Sequence, residues 1–222
     1  MSINKEKYLE IINELNGKAA LVAVSKTKPV EDIQALYDLG HRDFGENYVQ
    51  ELKDKFELLP KDIHWHYIGH LQSNKVKYIA AFVYLIHGVD SYNLLKEINK
   101  QAAKNKRVID CLLQVHIAKE ETKFGLDSNE LNTILSTALS EFKNVRICGL
   151  MGMASFSTNI DLVRAEFYYL HQLFNTAAKS FSIQHSTFNI LSMGMSADYK
   201  IAIKEGSNMV RIGSLLFGER NQ

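Results

Sequence analysis

The chain has 222 residues, enough for one large domain and for burial of roughly 70 % of the surface its unfolded form exposes. It carries 26 basic and 25 acidic residues, a net charge of +1, which argues against nucleic acid or an anionic membrane as its main partner. The polar start Met-Ser-Ile-Asn-Lys-Glu-Lys is no secretory signal, and the longest apolar stretch, around 79–86, is far short of the ~20 residues that span a bilayer.

In chain order, the pattern predicts a helix over 5–15, lying across the bottom of the sheet that follows. Short apolar runs then occupy 19–24, 41–45, 64–69, 82–87, 108–117, 145–151, 187–192 and 208–212. Between them lie the helix-like segments 30–40, 46–59, 73–80, 91–105, 128–142, 160–178 and 197–206. Segment 91–105 shows the logic: Leu94, Leu95, Ile98 and Ala102 share one face, with Lys96, Glu97 and Lys100 on the other. Cys111 and Cys148 fall inside strand-like runs and read as buried thiols, which fits a reducing cytoplasm. Two prolines and no linker or low-complexity tract leave no internal boundary, so residues 1–222 are expected to form one domain.

Eight strands alternating with helices imply βαβ units and a parallel sheet. Eight in so few residues point to a compact (β/α)₈ barrel with an extra N-terminal helix. The alternative is an open doubly wound sheet. Against it, the first strand leads into Ser-Lys-Thr-Lys-Pro rather than the glycine-rich turn that cradles a dinucleotide.

In a barrel of this class chemistry sits at the C-terminal strand ends. Lys26 stands where the first strand opens into a loop, the setting in which an amine loses its proton and captures a carbonyl. Taken alone, it reads better as a lysine that merely marks the strand's exit into water. Gly45, Gly69, Gly152, Gly194 and Gly213 recur at such ends and permit close approach, while Gly88 reads as an ordinary turn glycine. Met-Gly-Met-Ser-Ala-Asp (193–198) reads as a loop whose helix begins at Ser196, and a Gly-Ser pair, Gly213 and Ser214, follows the last strand. Loops seven and eight are where many such barrels bind phosphate. Arg211 lies in an otherwise apolar strand, and a buried guanidinium needs a partner there, either a protein carboxylate or a ligand atom.

The histidines suggest a rival. His64 and His66 share a strand face and His116 ends strand five, a weak pattern for a metal-dependent hydrolase. Strand eight offers Arg211 where a metal site wants an anion, so no metal is expected. His41, His171 and His185 read as surface or turn residues.

Ala-Val-Ser-Lys-Thr-Lys-Pro (23–29), Phe-Gly-Glu-Asn-Tyr-Val-Gln-Glu (44–51), Trp-His-Tyr-Ile-Gly-His-Leu-Gln-Ser-Asn-Lys (65–75), Leu-Ser-Met-Gly-Met-Ser-Ala-Asp (191–198) and Val-Arg-Ile-Gly-Ser-Leu-Leu-Phe-Gly (210–218) occur in that order. From about residue 19 to 220 the chain resembles the pyridoxal phosphate homeostasis proteins. The resemblance implies a barrel like the N-terminal domain of alanine racemase, with pyridoxal 5′-phosphate held as a Schiff base. Lys26 matches the Schiff-base lysine and Arg211 the arginine facing the pyridine nitrogen. Ser196, with the backbone of Gly213 and Ser214, matches the phosphate cradle, and Asn47 an asparagine near the cofactor. His70 stands where the family usually has proline, Met151-Gly152-Met153-Ala154 replaces a proline-containing loop, and Ser214 replaces a common threonine. The last residues, 218–222, also depart slightly. These changes bear on the entrance rather than on Lys26 or Arg211.

An unperturbed lysine, with a pKa of about 10.4, is a poor nucleophile at neutral pH. Burial and the field of Arg211 are expected to favour its neutral form. An arginine at the ring nitrogen keeps that nitrogen unprotonated and the ring a weaker electron sink. The function implied is intracellular vitamin B6 homeostasis: the protein holds the cofactor and releases or transfers it, to apo-enzymes among its possible partners, with little or no catalysis. The alternative is an amino-acid racemase that uses Lys26 plus a second base such as His66 or Tyr67. Alanine racemase takes its second base from a further domain and dimerises largely through parts absent here, so a monomer is expected.

Overall fold

The computed structural model describes residues 3–120, 124–181 and 188–219. Eight parallel strands close into a barrel in chain order: β1 (Ala20–Val24), β2 (Asp43–Glu46), β3 (His64–Tyr67), β4 (Leu85–Val89), β5 (Ile109–Gln114), β6 (Val145–Met151), β7 (Ile190–Met195) and β8 (Met209–Ile212). β1 pairs with β8 from Ala20↔Met209 to Ala23↔Ile212, which closes the ring. Around it run α1 (Lys5–Leu15), α2 (Val30–Asp38), α3 (Val49–Leu58), α4 (Tyr92–Lys104), α5 (Ser128–Glu141), α6 (Ile160–Phe181), α7 (Tyr199–Lys204) and α8 (Ser214–Phe217). A 3₁₀ segment, Ser73–Tyr78, takes the place of a helix between β3 and β4. This is the (β/α)₈ barrel the alternation predicts.

Period-two alternation sorts the strand residues into two layers. Val22, Leu85, Leu112, Cys148, Met151 and Met209 form one buried cluster inside the barrel. Leu21, Ala23, Ile86, Leu113, Leu191 and Val210 belong to the larger core between sheet and helices. Phe44 and Trp65 anchor that outer layer with no exposed surface. Burying a phenylalanine in this way contributes about 2–3 kcal/mol relative to leaving it in water.

Among the departures from the sequence pattern, three bear on the architecture: two strand bounds and the place of α1. β4 begins at Leu85 because the Phe82 and Val83 amides both bond the Ile79 carbonyl, prolonging the turn after the 3₁₀ segment. β7 runs on to Met195, with an irregularity between Ser192 and Met195. The first residue of its predicted run, 187, lies outside the described residues. Third, α1 runs along the outer wall rather than across the bottom. The Asn4 amide bonds the Leu216 carbonyl of α8 at 2.8 Å, and Glu14 accepts from Tyr199 and Lys200 of α7 at 2.7 and 2.8 Å. Asn4 caps the helix through the Lys7 amide, 2.9 Å from its Oδ1.

Two further readings are corrected. His41 is buried rather than superficial: its Nε2 meets the Asp43 carbonyl at 2.9 Å and its ring lies edge-on between Tyr8 and Phe44. Gly88 lies within β4, and a Cβ there would stand 2.6 Å from the Gly69 carbonyl oxygen, so close strand packing requires the glycine.

Candidate functional site

Lys26 follows β1 by two residues, half-buried, on a cavity of about 400 Å³ at the C-terminal strand ends. Arg211, Ser196, Gly213 and Ser214 line the same cavity. Five residues singled out from three separate stretches of sequence therefore converge on one space.

The loop that carries Lys26 is held from below. Thr27 adopts φ 63°, and its amide donates to Glu51 Oε1 at 2.6 Å. The Lys55 ammonium, buried under the loop, donates to the Ser25 carbonyl, to Glu46 Oε1 and to Glu51 Oε1 at 2.8, 2.8 and 2.6 Å. The Ser25 hydroxyl donates to Glu46 at 2.6 Å. Burial pushes the Glu46 carboxyl up to about 7, against the pull of Lys55 and Ser25. Lys28, also on the cavity, caps α8 by donating to the carbonyls of Phe217, Gly218 and Glu219. That leaves the two neighbouring lysines in different settings.

Arg211 is a buried cation inside β8. Nη1 donates to Ser192 Oγ at 2.5 Å and Nη2 to the Gly152 carbonyl at 3.0 Å. Burial lowers its pKa to about 10, with Asp198 opposing that shift. Its direct hydrogen-bond partners are thus a hydroxyl and a carbonyl, and its charge lies against the cavity. The Met151–Ala154 loop consequently does more than shape the entrance, because Gly152 holds the guanidinium. Beyond it, Ala154, Ser155 and the highly exposed Phe156 form one rim. Glu166 fixes that rim by accepting from the Ser155 amide and hydroxyl, both at 2.7 Å.

Opposite, Ser196 is not the start of a helix as its sequence suggests. Asp198 is the N-cap of α7, which begins at Tyr199, and Asp198 Oδ1 accepts from the Met195 amide at 2.6 Å. Ser196 lies in the resulting turn, where its Oγ accepts from the Gly213 amide at 3.3 Å. The turn after β7 is thereby tied to the start of α8 at Ser214, which brings the two loops of the expected cradle together.

Asn47 falls elsewhere. It lines a neighbouring depression of about 520 Å³ with Tyr48, Gln50, Tyr67, His70 and Lys75. Its Oδ1 is buried without a hydrogen-bond partner among the described residues. Tyr67 donates to the Asn47 and His70 carbonyls at 2.8 and 3.2 Å, and burial pushes its phenol up to about 12. His70 bonds Asp90 and stacks on Phe124. His66 has no exposed surface and uses both ring nitrogens within the barrel, towards Asp43 at 3.0 Å and His87 at 2.9 Å. Neither Tyr67 nor His66 lines the Lys26 cavity.

The metal reading loses its parts in the same way. His116 Nε2 bonds the Glu120 carbonyl at 2.9 Å. Among the described residues no group of three His, Cys, Asp or Glu side chains is placed to hold a metal ion. The Asp43, His87 and Ser192 contacts escaped the sequence reading, because they join different strands, His87 and Ser192 being 105 positions apart.

Residues 5–221 match the family described as alanine racemase, N-terminal domain. A pyridoxal phosphate homeostasis protein of Aquifex aeolicus is 43% identical over 203 residues, 91% of this chain and 87% of that protein. The protein of that name from Homo sapiens is 37% identical over 90% of this chain and 76% of its own length. Among solved structures, PipY of Synechococcus elongatus bound to PLP superimposes with a TM-score of 0.87 at 33% identity, covering 96% of this chain and 99% of that one. An alanine racemase of Clostridium difficile, at 15% identity and a TM-score of 0.76, shares the fold over 59% of its chain. With this fold and this degree of identity over nearly its whole length, the chain belongs to the pyridoxal phosphate homeostasis protein family.

Proposed function

We propose that the chain holds pyridoxal 5′-phosphate as a Schiff base on Lys26 and releases or transfers it, with little or no catalysis. The observation that carries this reading is the convergence of an amine, a buried guanidinium and the joined Ser196–Gly213 loops on one cavity. That donor set fits an aldehyde, a pyridine nitrogen and a phosphate borne on one small ring. Bound pyridoxal phosphate supplies an electrophilic carbonyl and a ring that accepts electron density.

The residues have separable tasks. Lys26 supplies the nucleophilic amine, and the Lys55–Glu51 clamp fixes the loop that presents it. Arg211 faces the ring nitrogen, a cation that keeps it unprotonated. Ser196 and the Gly213–Ser214 backbone receive the phosphate, and Asn47 stands in the adjoining depression. A racemase needs a base on each face of the ring. The two candidate second bases, His66 and Tyr67, are directed elsewhere, which favours holding over turnover. Relatives carrying the homeostasis name support the same choice. We assign the protein to the cytoplasm as a monomer that supplies apo-enzymes; no described helix is long and apolar enough to cross a membrane.

Titrating pyridoxal phosphate into apoprotein is expected to give the visible absorption of a Schiff base, absent in Lys26→Ala. Incubation of the loaded protein with single L-amino acids is expected to yield no D-isomer. Unchanged absorption in the variant overturns the anchor, and sustained D-isomer formation overturns the holding role.

A further inference from the structure

Five polar side chains from five strands form a continuous line through the barrel interior. Asp43 Oδ1 at the start of β2 meets His66 Nε2 of β3 at 3.0 Å. His66 Nδ1 meets His87 Nε2 of β4 at 2.9 Å. His87 Nδ1 meets Ser192 Oγ across the barrel at 3.2 Å, and Ser192 Oγ accepts from Arg211 Nη1 at 2.5 Å. His66, His87 and Ser192 have no exposed surface, whereas the Asp43 side chain is one-third exposed at the opposite end of the strands from the cavity.

The proton positions follow from the chemistry of the two ends. Arg211 can only donate. Burial works to raise the Asp43 carboxyl, but the hydrogen bonds it accepts from His66 and His64 help to outweigh it, and the group lies below its usual range. Asp43 is therefore an ionised acceptor at neutral pH, and His66 must carry its hydrogen on Nε2. Burial lowers the pKa of both histidines, His87 well below the ordinary value, so each is neutral with one N–H. His66 Nδ1 then accepts from His87 Nε2–H, and His87 Nδ1 accepts from the Ser192 hydroxyl. Every hydrogen bond points the same way, from guanidinium to carboxylate. Bonds aligned in this manner polarise one another.

We propose that Asp43, His66, His87 and Ser192 are positioning residues that couple a remote carboxylate to Arg211 and so weaken its hydrogen-bond donation to the ring nitrogen of pyridoxal phosphate. This rests on the reading of Arg211 as the ring-nitrogen partner. A guanidinium linked to a carboxylate holds its protons more firmly, which keeps the pyridine nitrogen basic and unprotonated. A buried polar line of this length also has a cost, because each member left without a partner would lose its desolvation compensation. The other charged or titratable groups near its ends include His41, His64 and Tyr84 beside Asp43, and Asp198 and Lys26 towards Arg211.

The test uses protein loaded with pyridoxal phosphate carrying ¹⁵N in the ring and reads the resonance of that nitrogen. Asp43→Asn keeps an oxygen acceptor for His66 but removes the charge. It is expected to move the resonance upfield, towards the protonated pyridine. His87→Asn, which cuts the line at its centre while leaving Ser192 an acceptor, is expected to do the same and serves if Asp43→Asn does not fold. In a Ser192→Ala background Asp43→Asn is expected to add nothing, since the connection is already broken. An equal shift with and without Ser192 means that Asp43 acts through space and overturns the relay. So does the absence of a shift in both folded variants. Arg211→Gln separates the two layers. If it moves the resonance while Asp43→Asn and His87→Asn do not, the relay alone fails; if it leaves the resonance unchanged, the ring-nitrogen reading and the relay fail together.

Discussion

Glu46 has no exposed surface, and although the Lys55 ammonium lies 2.8 Å away, burial holds its carboxyl protonated up to about 7 against an ordinary 4.5. Its Oε2 is buried without a hydrogen-bond partner among the described residues, which explains why desolvation prevails over pairing. The folded chain therefore retains a proton between those two values that the unfolded chain has released. Stability from this group is present in full below the unfolded pKa and is lost as the pH rises through the folded one. Glu46→Gln keeps an acceptor for Ser25 and Lys55 but cannot titrate. The stability difference between wild type and Glu46→Gln, measured by urea unfolding, is expected to move against wild type from pH 4.5 to about 7. It should be flat on either side of that window. A constant difference across the window would show that Glu46 is ionised throughout.

At the scale of elements, the barrel depends on places where one strand bends to admit another. β6 carries an irregularity opposite Cys111–Leu112, with Gly149 at φ 153°. A Cβ at Gly149 would lie 1.8 Å from the Ile190 carbonyl oxygen of β7, a backbone atom that cannot step aside. Gly149→Ala must therefore push β6 and β7 apart, at the point where β7 turns Ser192 towards Arg211. It is expected to cost about 4 kcal/mol or more, at the extreme of single substitutions. Denaturant melts of the variant check this, and a loss below about 1 kcal/mol, the size of an ordinary surface change, would mean that the strands can move apart cheaply. α8 belongs to the same scale. It is a single turn, Ser214–Phe217, yet it receives the Lys28 ammonium at its end and the Asn4 amide at its side. It joins the Lys26 loop to the outer helix.

At the scale of the whole molecule, alternation of apolar runs with 3.6-residue stripes made the barrel and the order of its strands legible. That Lys26, Arg211, Ser196, Gly213 and Ser214 line one cavity was legible because parallel strands deliver their C-terminal ends to one face. Local pattern did not reveal where β4 starts, since Phe82 and Val83 are as strand-like as Leu85 and it is the Ile79 carbonyl that takes their amides. Nor did it reveal the start of α7, because Ser196 and Asp198 are both good cap residues and the Asp198–Met195 bond selects the second. The relay from Asp43 to Arg211 was beyond sequence reading for a deeper reason. Its neighbours are up to 105 positions apart, and closure of the barrel is what makes them touch. Lys26 shares its cavity with Lys28, only two residues away. The most direct measurement is borohydride reduction of the loaded protein followed by mass mapping of the modified lysine. The phosphopyridoxyl adduct is predicted on Lys26 alone, one per chain; an adduct on Lys28, or one dispersed over surface lysines, would contradict the account.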